Sequence, residues 1–262
     1  MTVRLLKVLV VLCSIVPASC AVQETPRDHI DVLKELYAST VQILVSQPDG
    51  VRRTGSGVVL KVDRETGEAF VVTAGHVLTA RKDIEVSVIG KFRKKTYAAK
   101  VLMHSDAEDV ALLSVRGMSV APVSAGGNSE LGQDIWVISY PWGRRRTLVT
   151  GVVSQVDWPT ETNAQGQVPL EGPVRLIDAT VGYGTSGGGI FETEEGRLVG
   201  LVRGYRSVKI PLPGPDGKSV SLPVAGETTV ISISRIAHVL AAAGFGHVMP
   251  PRMPGHGGTP GR

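Results

Sequence analysis

Short apolar runs separated by turn-forming residues dominate the chain between about residues 41 and 234. The runs have the length and the β-branched content of strands, and Gly, Pro and Asp fill the breaks between them. Helical patterns do not alternate with the runs, so the sequence predicts an all-β barrel or sandwich. Examples of the runs are 41–45, 57–62, 70–73, 84–89, 110–115, 135–138, 148–156, 174–179, 198–202 and 229–233.

The length of this strand-rich region favours two barrels over one. Roughly two hundred residues of short strands fit two small barrels better than a single large barrel. We therefore expect one folded domain over residues 41–246, with a first barrel at about 41–120 and a second at about 130–233.

Helices are expected at the two ends of this domain. In the segment 20–40, apolar residues recur at helical spacing from His29 onwards, which predicts a short helix after a polar linker. Ser234 is expected to cap a C-terminal helix over residues 235–243. The segment 247–262 is rich in Gly and Pro, and we expect it to be a disordered tail.

Residues 1–19 have the form of an export signal peptide. Arg4 and Lys7 form a positive n-region, and the apolar stretch that follows them is too short to span a bilayer comfortably. The residues A-S-C that end at Cys20 resemble a bacterial lipobox, in which the cysteine becomes the lipid-modified first residue. The alternative is ordinary signal-peptidase cleavage after Ala21.

Cysteine usage favours the lipid hypothesis. The two cysteines of the chain, Cys13 and Cys20, both lie in this N-terminal segment, so the body of the protein is expected to lack disulfides. The sequence thus predicts an exported envelope protein, attached on the periplasmic side through a lipid on Cys20. In a Gram-negative bacterium this would be the outer membrane; ordinary cleavage would give a periplasmic or secreted protein.

Charge and ligand spacing argue against two other classes of function. The formal net charge is +4, and basic residues near the chain ends account for it, which leaves no electrostatic reason to expect nucleic acid as a partner. No spacing of His, Cys or carboxylate residues is typical of a metal site. We therefore expect no catalytic metal and no cofactor.

The sharpest chemical signal is the segment G-Y-G-T-S-G-G-G at residues 182–189, which places Ser186 among five glycines. Glycine lets backbone N–H groups approach a ligand closely. Acyl transfer needs such groups beside the nucleophile to stabilise an oxyanion. We expect the N–H groups of Gly184 and Ser186 to form this oxyanion hole; the alternative is a plain glycine-rich turn.

The same segment also matches the G-x-S-x-G nucleophile elbow of α/β hydrolases. In that fold the acid and the histidine follow the serine in the chain, and Asp216 and His238 would supply them beside Ser186. The strand-like flanks of Ser186 disfavour this esterase hypothesis, because an elbow joins a strand to a helix.

A histidine and an aspartate lie at the ends of two other strand-like runs. His76 follows the apolar run at residues 70–73, a position where a neutral imidazole can act as a general base. Asp109 directly precedes the apolar run at 110–115, where a partly buried carboxylate can orient an imidazole. Asp106 is the competing candidate for that role.

The chain order His76, Asp109, Ser186 is that of chymotrypsin-like proteases. The motifs T-A-G-H-V, D-V-A-L-L and G-T-S-G-G around these residues resemble the trypsin-like superfamily, and most closely its bacterial HtrA-like branch. The resemblance spans roughly residues 38–243. It implies two six-stranded antiparallel β-barrels, a His-Asp-Ser triad, an acyl-enzyme and a protein or peptide substrate.

The resemblance also implies which residues surround the substrate. The wall of the primary specificity pocket would be formed by Thr180, Tyr183, Val202, Arg203 and Gly204. Thr185 stands where relatives commonly have Asp or Asn, so activation by a salt bridge from a freed N-terminus is not expected. We expect no PDZ domain after the protease domain.

These features predict an exported serine endopeptidase that hydrolyses peptide bonds through His76, Asp109 and Ser186. A rival hypothesis is a protease-like binding or scaffold protein of the cell envelope whose chemistry is weak or lost. The substrate, the preferred cleavage site and the oligomeric state are left open.

Overall fold

The computed structural model describes residues 28–79, 83–89, 94–157, 171–211 and 219–251. The predicted signal peptide, Cys20, Asp216 and most of the predicted tail lie outside these described residues. Among the described residues, no helix has the length and apolarity needed to cross a membrane.

The first barrel is a closed antiparallel sheet with the strand order β1-β2-β3-β6-β5-β4. Its interior is filled by fully buried aliphatic side chains such as those of Ile43, Val71 and Leu112. The strands are β1 (Thr40–Ser46), β2 (Arg52–Asp63), β3 (Glu68–Ala74), β4 (Asp83–Ile89), β5 (Lys94–Ser105) and β6 (Val110–Arg116).

The second barrel is also closed, with the strand order β11-β14-β13-β12-β8-β9, and β7 and β10 form a small two-stranded sheet. The prediction of two six-stranded antiparallel barrels is thereby confirmed. The remaining strands are β7 (Ser129–Glu130), β8 (Asp134–Ser139), β9 (Thr147–Val156), β10 (Glu171–Gly172), β11 (Val174–Asp178), β12 (Gly189–Glu192), β13 (Leu198–Pro211) and β14 (Ser219–Ser232).

Strands β13 and β14 are longer than the sequence indicated. The apolar runs at 198–202 and 229–233 cover only the halves that belong to the barrel. The outer halves continue as a hairpin in which Val208 pairs with Leu222 and Ile210 with Val220. These outer residues are exposed, so they lack the buried pattern that marks a barrel strand.

A helix lies at each end of the described chain. Helix α1 (His29–Ser39) begins at Asp28, whose carboxylate accepts the N–H of Ile30 at 3.0 Å. Helix α2 (Ile233–Ala242) begins two residues earlier than predicted, because the hydroxyl of Ser232, rather than that of Ser234, accepts the N–H of Arg235.

The ordered chain also extends past residue 246, where the domain was expected to end. Gly246–Val248 forms a short 3-10 helix, and the side chain of Val248 is fully buried. The larger hydrophobic cluster fills the first barrel and continues between the barrels to helix α2 and Val248. The apolar side chain of Val248 therefore anchors the start of the predicted tail.

The α/β-hydrolase alternative is wrong, because the strands form closed antiparallel barrels, and no helix connects parallel strands in the part of the chain that the structure describes. Ser186 lies in a turn before strand β12 and not in a strand-to-helix elbow. His238, the proposed base of that alternative, is exposed on helix α2.

Candidate active site

The pairing of strands β3 and β6 brings His76 and Asp109 together. The last residue of β3, Ala74, pairs with the first residue of β6, Val110. Since the strands are antiparallel, the residues after Ala74 and before Val110 emerge at the same end of the barrel. Gly75 completes the junction by donating its N–H to the carbonyl oxygen of Asp109 at 2.8 Å.

His76 faces Asp109 through both its backbone and its ring. Its backbone N–H donates to Asp109 Oδ1 at 2.9 Å, and its Nδ1 lies 3.0 Å from Oδ1 and 3.1 Å from Oδ2. A carboxylate only accepts hydrogen bonds, so Nδ1 carries the proton in this pair. Nε2 of His76 is then left as the acceptor, which is the tautomer that a general base requires.

Asp109 is held in an unusual backbone conformation and a nearly buried position. Its φ is 55°, in the left-handed region that few non-glycine residues adopt, and its exposed fraction is 7%. The competing candidate, Asp106, is 88% exposed at its side chain and lies 3.6 Å from His104, away from His76. The structure therefore places Asp109, and not Asp106, on the imidazole.

An arginine also contacts the Asp109 carboxylate. Nε of Arg203, on strand β13, donates to Asp109 Oδ2 at 3.0 Å. Burial opposes ionisation of this carboxyl and by itself raises its pKa. The hydrogen bonds from His76 and Arg203 outweigh that effect and lower the pKa of Asp109 below its ordinary value.

Ser186 lies in the turn that precedes strand β12 of the second barrel, and backbone hydrogen bonds join this serine turn to strand β13. Gly187 donates its N–H to the carbonyl oxygen of Val202, and Val202 donates its N–H to that of Gly188, both at 2.8 Å. The hydroxyl of Ser186 donates to the carbonyl oxygen of Arg203 at 3.3 Å. The serine turn is thus fastened to the strand that also carries Arg203.

The N–H groups expected to form the oxyanion hole are available. Among the described residues, neither Gly184 nor Ser186 donates its backbone N–H to a protein acceptor. Gly184 has a φ of +86°, and a Cβ there would lie 2.8 Å from the carbonyl oxygen of Tyr140. The buried residue Thr185 closes the turn, because both its hydroxyl and its N–H donate to the carbonyl oxygen of Gly182.

His76 and Ser186 line the same cleft between the barrels. The first barrel contributes Arg53, Thr54, His76 and Val77 to the lining, and the second contributes residues 182–186, Gly204 and Tyr205. The two residues, one from each barrel, therefore border the same cleft.

The residues predicted for the specificity pocket fall into different places. Tyr183 and Gly204 line the cleft, whereas Val202 is fully buried in the barrel core. Thr180 is exposed and is not among the lining residues of the described cleft. Arg203 directs its side chain to Asp109, and the cleft wall is completed by Tyr205 instead.

Two supporting residues carry no signal in the sequence. Ser56, fully buried on strand β2, donates its N–H to the carbonyl oxygen of Ser186 and its hydroxyl to that of Gly184, both at 2.9 Å. His104 Nε2 lies 2.9 Å from the carbonyl oxygen of Gly75 and donates to it, which supports the loop of His76. A single buried serine and a histidine on a strand look like ordinary core residues until their partners are known.

We predict that Gly187→Ala strongly destabilises the protein. The φ of Gly187 is +79°, and a Cβ there would lie 2.2 Å from both the Ser56 carbonyl oxygen and the Thr73 hydroxyl. The free energy of unfolding, measured with urea, should fall by at least about 2 kcal/mol. Gly127→Ala is the control, because a Cβ at Gly127 meets nothing within 4 Å; equal stability of the two variants would contradict the prediction.

We predict that in the Asp109→Asn variant the free energy of unfolding depends less on pH under acidic conditions. The folded-state pKa of Asp109 is lowered, so its contribution is present above the unfolded value of about 3.9 and is lost as pH falls through the folded value. The free energy of unfolding, measured between about pH 5 and pH 2, should therefore fall less steeply in the variant.

The control for this titration is Asp106→Asn, which removes an exposed carboxylate that lies on the same loop. This variant should retain the wild-type slope. A wild-type slope in Asp109→Asn would show that the carboxylate gains nothing from His76 and Arg203 on folding.

Comparison with known proteins agrees with this geometry. Residues 55–201, more than half of the chain, match the family described as "Trypsin-like peptidase domain". The chain is 27% identical over 223 residues to "Protease Do-like 1, chloroplastic" of Arabidopsis thaliana, covering 79% of this chain and 49% of that protein. It is 28% identical over 184 residues to "Serine protease Do-like HtrA" of Bacillus subtilis, covering 68% and 38% respectively.

Solved structures share the fold. The active form of the Rv3671c protease from M. tuberculosis matches with a TM-score of 0.61 and 22% identity, over 88% of this chain and 91% of that chain. The serine endoprotease from Yersinia pestis matches with a TM-score of 0.58 and 17% identity, over 84% and 68%. The chain spans about half or less of the length of the curated relatives described above. The two barrels, the motifs at their facing ends and the match over residues 55–201 together show that the chain belongs to the trypsin-like peptidase family.

Proposed function

We propose that this protein is a serine endopeptidase that cleaves protein or peptide substrates through an acyl-enzyme. The observation that carries the proposal is the cleft that Ser186 and His76 both line, with Nδ1 of His76 held by Asp109. The relatives from Arabidopsis and Bacillus are named as proteases, which supports the same class of reaction. Since the Nδ1 proton is held by a carboxylate, Nε2 is the atom that accepts a proton.

The proposed first half of the reaction forms an ester on Ser186. The hydroxyl rotates from the carbonyl of Arg203 towards His76, and its oxygen attacks the peptide carbonyl carbon while Nε2 takes its proton. The N–H groups of Gly184 and Ser186 stabilise the oxyanion of the tetrahedral intermediate. The C–N bond then breaks, and the leaving amine takes the proton from Nε2.

The second half of the reaction restores the enzyme. A water molecule gives a proton to Nε2 of His76 as its oxygen attacks the ester carbonyl carbon. The bond from that carbon to the oxygen of Ser186 breaks, and the serine oxygen takes the proton back from Nε2. The products are a free amine from the first half and a carboxylic acid from the second, as hydrolysis of a peptide bond requires.

We predict that Ser186→Ala abolishes cleavage of casein and of quenched peptides. The loss should be on the order of 10⁶-fold if the triad acts as a unit, because the variant has no nucleophile. A fluorophosphonate probe should label the wild type, and peptide mapping should locate the label on Ser186. Ser207→Ala, which removes an exposed hydroxyl from the hairpin of the same barrel, should leave the rate unchanged.

Two results would count against this function. A label on a residue other than Ser186 would contradict the assigned nucleophile. Equally slow cleavage by wild type and Ser186→Ala would favour the alternative, a binding or scaffold protein of the envelope with the protease fold.

We further propose that the protein is exported and attached to a membrane by a lipid on Cys20. The signal-like N-terminus and the A-S-C sequence support this proposal. A relative from Hahella chejuensis, 28% identical over 159 residues and covering 59% of this chain and 30% of that protein, is named a probable periplasmic serine endoprotease. A periplasmic protein must be exported from the cytoplasm, so the name of this relative supports the proposed export of the chain.

We predict that Cys20→Ser prevents lipid attachment. Cells fed an alkyne fatty acid should label the wild-type protein, and the label should disappear in the variant, which should move from the membrane to the soluble fraction. Cys13→Ser is the matched control, because it removes the other cysteine of the same segment and should retain the label. A labelled Cys20→Ser protein, or an unlabelled wild type, would overturn the lipid assignment.

A further inference from the structure

Arg203 contacts the acid of the proposed triad with its side chain. Its Nε lies 3.0 Å from Asp109 Oδ2, and the two groups form an ion pair in which Arg203 is 53% exposed and Asp109 is 10% exposed at the side chain. The guanidinium thus shields one edge of a carboxylate that is otherwise enclosed by protein. Arg203 is not among the residues that line the cleft of His76 and Ser186, and it lines a separate polar cavity instead.

The backbone of the same residue contacts the nucleophile. The carbonyl oxygen of Arg203 accepts the hydroxyl of Ser186 at 3.3 Å, and the preceding residue, Val202, exchanges two backbone bonds with the serine turn. Arg203 belongs to the second barrel, whereas Asp109 belongs to the first. This one residue therefore joins the acid of one barrel to the nucleophile of the other.

The two oxygens of the Asp109 carboxylate depend on different donors. Oδ1 is fixed by the backbone N–H of His76 at 2.9 Å, and Oδ2 is fixed by Arg203 at 3.0 Å. With both oxygens fixed, the carboxylate plane cannot turn away from Nδ1 of His76. Without Arg203, Oδ2 retains only its 3.1 Å contact with the ring of His76. The nearly buried carboxylate of Asp109 would then have one hydrogen-bond donor fewer.

The carboxylates near Arg203, other than that of Asp109, are paired with different arginines. The adjacent carboxylate of Glu108 is paired with Arg235 at 2.9 Å. Asp157, which lines the same polar cavity as Arg203, is paired with Arg175 at 3.1 Å. Among the described residues, Asp109 is therefore the carboxylate that Arg203 contacts.

We propose that Arg203 is a positioning residue of the triad, which fixes the plane of the Asp109 carboxylate against His76 from the opposite barrel. This inference rests on the proposed function and goes beyond it, since the sequence pattern assigned Arg203 to the specificity pocket. A correctly held carboxylate stabilises the imidazolium that forms as Ser186 attacks. Loss of Arg203 should therefore slow the chemical step and leave substrate binding largely unchanged.

Arg203→Met and Arg203→Lys test this proposal by steady-state kinetics on a quenched peptide. In Arg203→Met, kcat should fall about 10- to 100-fold, because small misplacements of catalytic groups have effects of that size. KM should stay within about twofold of the wild type. Arg203→Lys should recover part of kcat, since an ammonium group restores the charge without the planar geometry.

The matched control is Arg206→Met. Arg206 lies on the same strand, is also 53% exposed at its side chain and also pairs with one carboxylate, that of Glu227 at 3.2 Å. This control should retain the wild-type kcat. Wild-type or higher kcat in Arg203→Met, or an equal loss in Arg206→Met, would overturn the proposal.

A spectroscopic test separates this proposal from the proposed function. In Ser186→Ala protein, the proton shared by His76 Nδ1 and Asp109 should give a low-field proton NMR resonance at low temperature. The resonance should broaden or vanish when Arg203→Met is added, and it should remain with Arg206→Met. An unchanged resonance would refute the role of Arg203 even if Ser186 proves to be the nucleophile, and its loss would support that role even if cleavage were not observed.

Discussion

The hydrogen bonds of Ser56 determine where Ser186, the proposed nucleophile, lies relative to the first barrel, which carries His76. This fully buried serine of the first barrel donates to the carbonyl oxygens of Gly184 and Ser186, and its hydroxyl accepts the N–H of Tyr140 at 2.9 Å. The two bonds of the Ser56 hydroxyl are buried, so leaving one of their partners unpaired costs about 1–3 kcal/mol. The serine turn is therefore fixed on the same barrel that carries His76.

This close contact is possible only because the residue after Ser186 is a glycine. Gly187 lies so near the backbone of Ser56 and the hydroxyl of Thr73 that no side chain fits, and its φ of +79° excludes most other residues. The glycine run thus serves two purposes. It permits the approach of the two barrels, and it leaves the N–H groups of Gly184 and Ser186 facing no protein acceptor among the described residues.

The sequence predicted the parts of the fold that follow from local pattern. Apolar runs marked most barrel strands, and the strand-end positions of His76 and Asp109 anticipated their pairing through Ala74 and Val110. Patterns of this kind do not reveal partners that lie far apart in the chain. Ser56 looked like any small residue of a strand, and the side chain of Arg203 was assigned to the pocket because its direction depends on a contact with the other barrel.

Boundaries and strand extensions were predicted less well for a similar reason. The outer hairpin of β13 and β14 has no core to face, so its residues show no buried alternation. The start of α2 depends on which of two nearby hydroxyls, those of Ser232 and Ser234, accepts the N–H of Arg235. The burial of Val248 was not predicted, because the few apolar residues of this Gly- and Pro-rich segment show no periodicity.

Contacts from both barrels hold Asp109 in its left-handed backbone conformation. A left-handed aspartate is tolerated only when surrounding contacts over-determine it. Gly75 binds its carbonyl, His76 binds its carboxylate, and both of these belong to the first barrel. The remaining carboxylate oxygen is fixed by Arg203 from the second barrel, whose backbone also receives the Ser186 hydroxyl. Any relative shift of the barrels would therefore disturb Asp109 and displace Ser186 together, so the alignment of the proposed triad and the packing of the barrels depend on the same few contacts.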